Sequence, residues 1–137
     1  MVPDARRLVK FSGTGRDLTD VLFEAALRDA DFFCEFDDGM MEGELLVSFV
    51  VSRGPADRER LAPFAYFVAV ATVDKEVVAR EEFRLAVPFE GNRTRVAVSE
   101  ELTPRIPIQP GESPLDYRLF VGFSLSPEEL RYNRDNR

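Results

Sequence analysis

The stretch Pro63 to Phe89 most constrains what this chain can fold into. It holds two apolar runs joined by the short charged turn Asp74, Lys75 and Glu76, which is the pattern of a β-hairpin. From Phe64 to Val73 nearly every residue is apolar, as in a central strand covered on both faces. Glu82 to Val87 alternates polar and apolar, as in a strand with one wet face. A buried centre beside a half-wet neighbour predicts a sandwich of sheets.

Further strands flank this hairpin. Leu8, Val9 and Phe11 offer an edge strand after a lead-in, and Ser12 to Arg16 reads as a loop. Leu18, Leu22, Ala25 and Ala26 would also suit a helix, but Val21 to Arg28 runs directly into Phe32 to Phe36, which favours a strand that bulges near Asp29 to Asp31. Asp37, Asp38 and Gly39 mark a tight turn, because Asp and Gly tolerate positive φ. In the following strand, Met41 to Ser52, the residues Leu45, Val47, Phe49 and Val51 share one face.

Arg53 to Pro63 is a charged connection with room for one helical turn, and Pro88 ends the second strand of the hairpin. After a turn at Glu90 to Arg93, Thr94 to Ser99 places Val96 and Val98 on one face. Pro104, Pro107, Pro110 and Pro114 then punctuate an extended crossing between sheets whose Arg105 to Ile108 can pair only as an edge. Leu115 to Leu125 is the last strand, and Tyr117 at its entry suggests a tyrosine corner bonding back to the preceding loop. Ser126 caps a short helix with Pro127 in first position and Glu128 and Glu129 in the first turn, and the polar end Asn133 to Arg137 is expected to fray.

Together these signals predict an all-β, immunoglobulin-like antiparallel β-sandwich of about 7–9 strands with a short C-terminal helix. Residues 1–137 read as one domain, with 1–16 a lead-in and loop and 126–137 a short helix and frayed tail. The composition, 45% hydrophobic with 12 Phe and no Trp, suits a packed core.

Charge and missing residue types narrow the chemistry. Lys+Arg 18 against Asp+Glu 25 leaves a net charge of -7, which repels phosphate backbones and argues against nucleic acid. The absence of His removes the commonest general base, and no nucleophile motif occurs, so no catalytic residue, cofactor or metal ligand is expected. The lone Cys34, between Phe33 and Glu35, reads as an inert core thiol without a base to activate it. The carboxylates Asp29, Asp31, Glu35, Asp37, Asp38, Glu42 and Glu44 read as a solvated acidic hairpin, since their spacing is not that of a calcium loop.

Aromatic residues supply the candidate surface. Phe64 and Tyr66 share a strand face and Phe67 lies opposite, so these rings, with Phe32, Phe33 and Phe36, cannot all enter one core. Those left outside, among Phe64, Tyr66, Phe67, Phe32 and Phe36, would form a partner surface or an apolar ligand groove.

Four phrases carry a resemblance to a known group: Gly15 to Ala25, Pro63 to Val70, Arg105 to Ile108, and Phe120 to Arg134. Together they resemble uncharacterised alphaproteobacterial cell-envelope lipoproteins. The resemblance implies a periplasmic domain tethered by a lipid on a cysteine upstream of it, with Met1 a truncation start. It brings no catalytic residues. Without that anchor the alternative is a cytoplasmic protein. The expected function is a non-catalytic interaction or assembly module binding an envelope protein; the alternative is a carrier or sensor of a small apolar ligand or lipid.

Overall fold

The computed structural model describes residues 2–74, 76–108, 110–113 and 116–136. Met1, Lys75 of the hairpin turn, Pro114 of the crossing, Leu115 at the expected strand start and Arg137 of the tail lie outside the described residues. The expected sandwich is present. Among the described residues there are eight strands, all antiparallel: β1 (Arg7–Phe11), β2 (Val21–Asp37), β3 (Met40–Arg53), β4 (Leu61–Thr72), β5 (Val77–Pro88), β6 (Arg95–Leu102), β7 (Arg105–Pro107) and β8 (Tyr117–Phe123). An α-helix, α1 (Pro127–Asp135), follows them.

One sheet runs β1-β2-β3-β6, with β7 continuing the β6 side of β3; the other runs β5-β4-β8. The hairpin read first from the sequence is β4 and β5, with β4 central in its sheet as expected. Inner side chains of both sheets meet in one core around Phe49, which touches Phe64, Tyr66 and Phe123 with ring centroids 5.0 to 5.6 Å apart. The predicted face Leu45, Val47, Phe49 and Val51 lies wholly in this core.

A bulge lets the long strand β2 keep its apolar residues inside. Leu27 pairs with Phe49 but Asp29 pairs with Ser48, so Arg28 is the extra residue. Before it the odd residues Phe23, Ala25 and Leu27 point inward; after it the even residues Ala30 and Phe32 do. Without the extra residue's phase change, Asp29 and Asp31 would face the core.

Two expectations need correction. The connection after β3 contains no helical turn among its described residues and ends at Arg60, because β4 begins at Leu61 and already includes Pro63. The Asp57 carboxylate organises it, accepting bonds from Arg53 Nε and from the backbone N–H groups of Glu59 and Arg60. Pro63 is tolerated because β8 pairs with β4 only from Tyr66 onward, leaving that edge free of a partner.

The C-terminal end does not fray at Asn133 either. Its side chain is buried, and its amide nitrogen donates to the backbone carbonyls of Asp4 and Arg7 at 2.9 and 2.6 Å. The helix cap is as expected, with Ser126 accepting from Glu129 N–H and Glu129 accepting from Ser126 N–H. Asn133→Ala should cost about 1–2 kcal/mol by removing both hydrogen bonds that its buried side chain donates, measurable as a lower urea midpoint at unchanged slope.

Candidate functional site: the flank between two sheet edges

β5 and β6 end the two sheets on the same flank of the sandwich. On the inner face of β5, Leu85, Phe83, Glu81 and Ala79 succeed one another opposite Phe64, Tyr66, Val68 and Val70 of β4. On β6 the inner residues are Val96, Val98, Glu100 and Leu102, paired through β3 with Val51, Phe49, Val47 and Leu45. Toward Ala79 and Leu102 the two sheets part and leave a cleft of about 850 Å³. Leu45, Val68, Val70, Phe83, Leu102 and Ile106 line its apolar floor, with Glu76, Glu81, Glu101, Glu112, Arg80 and Arg105 around the rim. Pro104 and Pro107 of the crossing form one wall, so the cleft lies under the crossing predicted from the sequence.

A polar contact lies behind Phe83, one of the residues that line the cleft. The Tyr66 side chain, wholly buried, stacks on Phe83 and donates its phenol hydrogen to Glu100 Oε1 at 2.6 Å. Burial pushes the phenol's pKa far above its ordinary value of 10.0, and the bond to Glu100 and that carboxylate's charge push it the same way. The folded state therefore prefers the neutral phenol. Its contribution to stability is fully present below about pH 10 and lessens above it, as the unfolded chain's Tyr66 ionises while the folded one does not. In an absorbance titration, the Tyr66 phenol should ionise only on unfolding, and Tyr66→Phe should remove that step.

The aromatic residues singled out in the sequence do not form one surface. Phe64 and Tyr66 are core residues, because their strand face is the one turned toward Phe49 and Phe123. Phe32 is partly buried against the core, its ring lying over Gly43. Phe67 does lie on the opposite face of β4, where Arg80 covers its ring at 4.7 Å and Ala5 and Gly122 flank it. Of these rings, Phe36 (51% exposed) and Phe33 (71%) are left outside, on opposite faces of the far end of the β2-β3 hairpin, with Leu46 exposed on the Phe33 face.

Cys34 is likewise exposed rather than buried, because this end of the hairpin extends past the cover of the facing sheet. The acidic hairpin is solvated from Glu35 to Asp38 and at Glu42 and Glu44, with Glu42 paired to Arg105 at 2.8 Å. Among the described residues no group of three or more His, Cys, Asp or Glu is placed to hold a metal ion, and no helix is long and apolar enough to cross a membrane. The Tyr117 phenol bonds back to the preceding loop as expected, donating to the side chain of Glu112.

Fold and flank together define the class: an antiparallel β-sandwich with a capping C-terminal helix and a cleft at its open edges. No protein-family model matches the chain, and no curated protein matches it. Among solved structures, it is similar to the variable (V) domain of the AgI/II polypeptide BspA of Streptococcus agalactiae, at 8% identity over 88% of this chain and 74% of that one, with a TM-score of 0.25. A likeness that low carries nothing about what this chain does.

Proposed function

We propose that the chain is a non-catalytic interaction module that takes a partner's extended segment onto the flank formed by β5 and β6. The observation that carries this reading is the free edge of β5, twelve residues long with no proline before Pro88. The bond from Phe89 N–H to Arg60 C=O, read with the register, turns the backbone groups of Arg80, Glu82, Arg84 and Ala86 away from β4 and toward solvent. Such a row of donors and acceptors is what strand addition uses. The β7 edge is blunted by Pro104 and Pro107, and β8 is partly covered by the N-terminal segment, where Val2 N–H bonds Val121 C=O. The envelope setting and upstream lipid anchor follow from the family resemblance of the sequence and form part of the proposal.

Glu82→Pro tests it, since Pro at an outward-facing edge position removes a free donor without breaking a bond to β4. Affinity purification of the natively tagged protein from envelope extract should yield a protein partner that E82P loses. Retention of that partner by E82P would overturn strand addition.

The cleft supports a second reading, in which its apolar floor holds a small apolar ligand or acyl chain. Ala79→Trp fills the cleft from the exposed β5 side without replacing a core residue. It should abolish the fluorescence enhancement of an anilinonaphthalene sulfonate dye while leaving the circular dichroism unchanged. Enhancement that persists in A79W and vanishes in F33S would move the apolar site to the β2-β3 hairpin end.

A further inference from the structure

We infer that the first occupant of the β5 edge is the β5 of a second copy of this chain, paired antiparallel about a two-fold axis at Phe83. This rests on the strand-addition reading above and names its partner. The outer face of β5 carries Arg80, Glu82 and Arg84 in sequence, with Glu82 already drawn to Arg84 at 3.5 Å and to Arg80 at 4.0 Å. A two-fold at Phe83 sets each Glu82 directly opposite Arg84 of the second copy, so two opposite-charge cross-strand pairs form at once. These are also the hydrogen-bonded pairs, because Glu82 and Arg84 are among the residues whose backbone groups face outward.

Neighbouring registers match less well. A two-fold at Glu82 opposes two carboxylates and one at Arg84 opposes two guanidinium groups; one at Glu81 also sets Glu82 opposite Arg80 of the second copy, but it brings the two inward Glu81 carboxylates face to face. At Phe83 the two rings meet instead, in a non-hydrogen-bonded pair where side chains approach most closely. Glu81 then faces Leu85 of the second copy and keeps its carboxylate at the solvated mouth of the cleft.

The edge of the other sheet repeats the pattern. The outer face of β6 reads Arg95, Ala97, Ser99 and Glu101, and a two-fold at Val98 sets Arg95 opposite Glu101 of the second copy and Ala97 opposite Ser99. The contact of Tyr66 with both Phe83 and Glu100 brings the middle of β5 near that of β6. One axis therefore serves both edges. Alternating charge discourages pairing with an arbitrary apolar strand, yet it complements its own two-fold copy.

Sedimentation equilibrium from micromolar to sub-millimolar protein tests the inference on wild type, Glu82→Arg, Arg84→Glu and the double variant E82R/R84E. Both substituted positions sit on an exposed face, and circular dichroism should be the same throughout. The wild type should be a dimer. Each single reversal replaces two attractive pairs with two repulsive ones and should weaken dimerisation about tenfold or more. The double variant restores both pairs and should return dimerisation to within about threefold of wild type. A wild type that is monomeric throughout, or a dimer indifferent to both reversals, overturns the inference. If such a monomer still captures a partner that E82P loses, strand addition stands and only the second copy is wrong; if E82P loses nothing, both fail.

Discussion

Phe49→Ala should lower stability by about 3–5 kcal/mol, the largest single-residue loss expected at any position considered in this chain. The ring is 1% exposed, sits on the central strand of the larger sheet, and meets Phe64 and Tyr66 of β4 and Phe123 of β8. Truncation removes the shared contact of three aromatic side chains on the facing sheet. The rings around it also pack with each other, as Phe64 does with Phe123 at 5.5 Å, so they cannot all collapse into the space left. Against a typical stability of about 5–15 kcal/mol, such a loss leaves the fold marginal. Guanidinium unfolding followed by circular dichroism checks it, with Phe33→Ala as the contrast: that ring is 71% exposed and its loss should move stability by less than about 0.5 kcal/mol. A Phe49→Ala loss below about 1 kcal/mol would mean that the two sheets do not share this core.

The contrast between Phe49 and Phe33 also shows what alternation in a sequence can specify. Leu45, Val47, Phe49 and Val51 are legible as a core face because they are uniformly apolar while the alternate positions Glu44, Leu46, Ser48, Val50 and Ser52 are mixed. The hairpin of β4 and β5, the turn at Asp38 and Gly39, both with positive φ, and the capped helix at Ser126 are legible for the same local reason. Alternation does not say where the facing sheet ends. Cys34 and Phe36 share the inward face of β2 with Phe32, yet Phe32 meets the core while the other two reach past its cover. Cys34 was therefore expected inside and is found outside.

The flank was hidden for a different reason. Glu82 to Val87 reads correctly as a strand with one wet face, but hairpins fix neighbours and leave open which strands end a sheet. Glu100, on the inward face of β6, would count as an interruption of a β pattern until Tyr66 is known to lie across from it. Asn133 is similar: a polar residue near a chain end looks loose, and its two carbonyl partners lie 129 and 126 residues away in sequence. Signals that depend on contacts across the whole chain carry no local mark.

Gly54→Ala should cost about 3 kcal/mol, at the upper end for overpacking. Gly54 lies just past β3, and its N–H bonds the carbonyl of Leu22 at 2.9 Å, which ties the end of β3 to the start of β2. A Cβ placed on Gly54 would stand 2.1 Å from the carbonyl oxygen of Val21 and 2.5 Å from its carbon. The same Val21 carbonyl accepts from Ala56 N–H at 2.9 Å, so it cannot swing away without breaking a second bond of the connection. At Gly43 the added atom would meet the end of the Phe32 ring, which can rotate outward; at Gly54 it meets backbone, and two strands must separate instead. Relief would have to pull Leu22 from the core margin and disturb the Asp57-centred connection that leads into β4. Chemical denaturation of G54A against G43A separates these cases: the larger loss belongs to G54A, and equal losses would mean that the β2 to β3 junction gives way as readily as a side chain does.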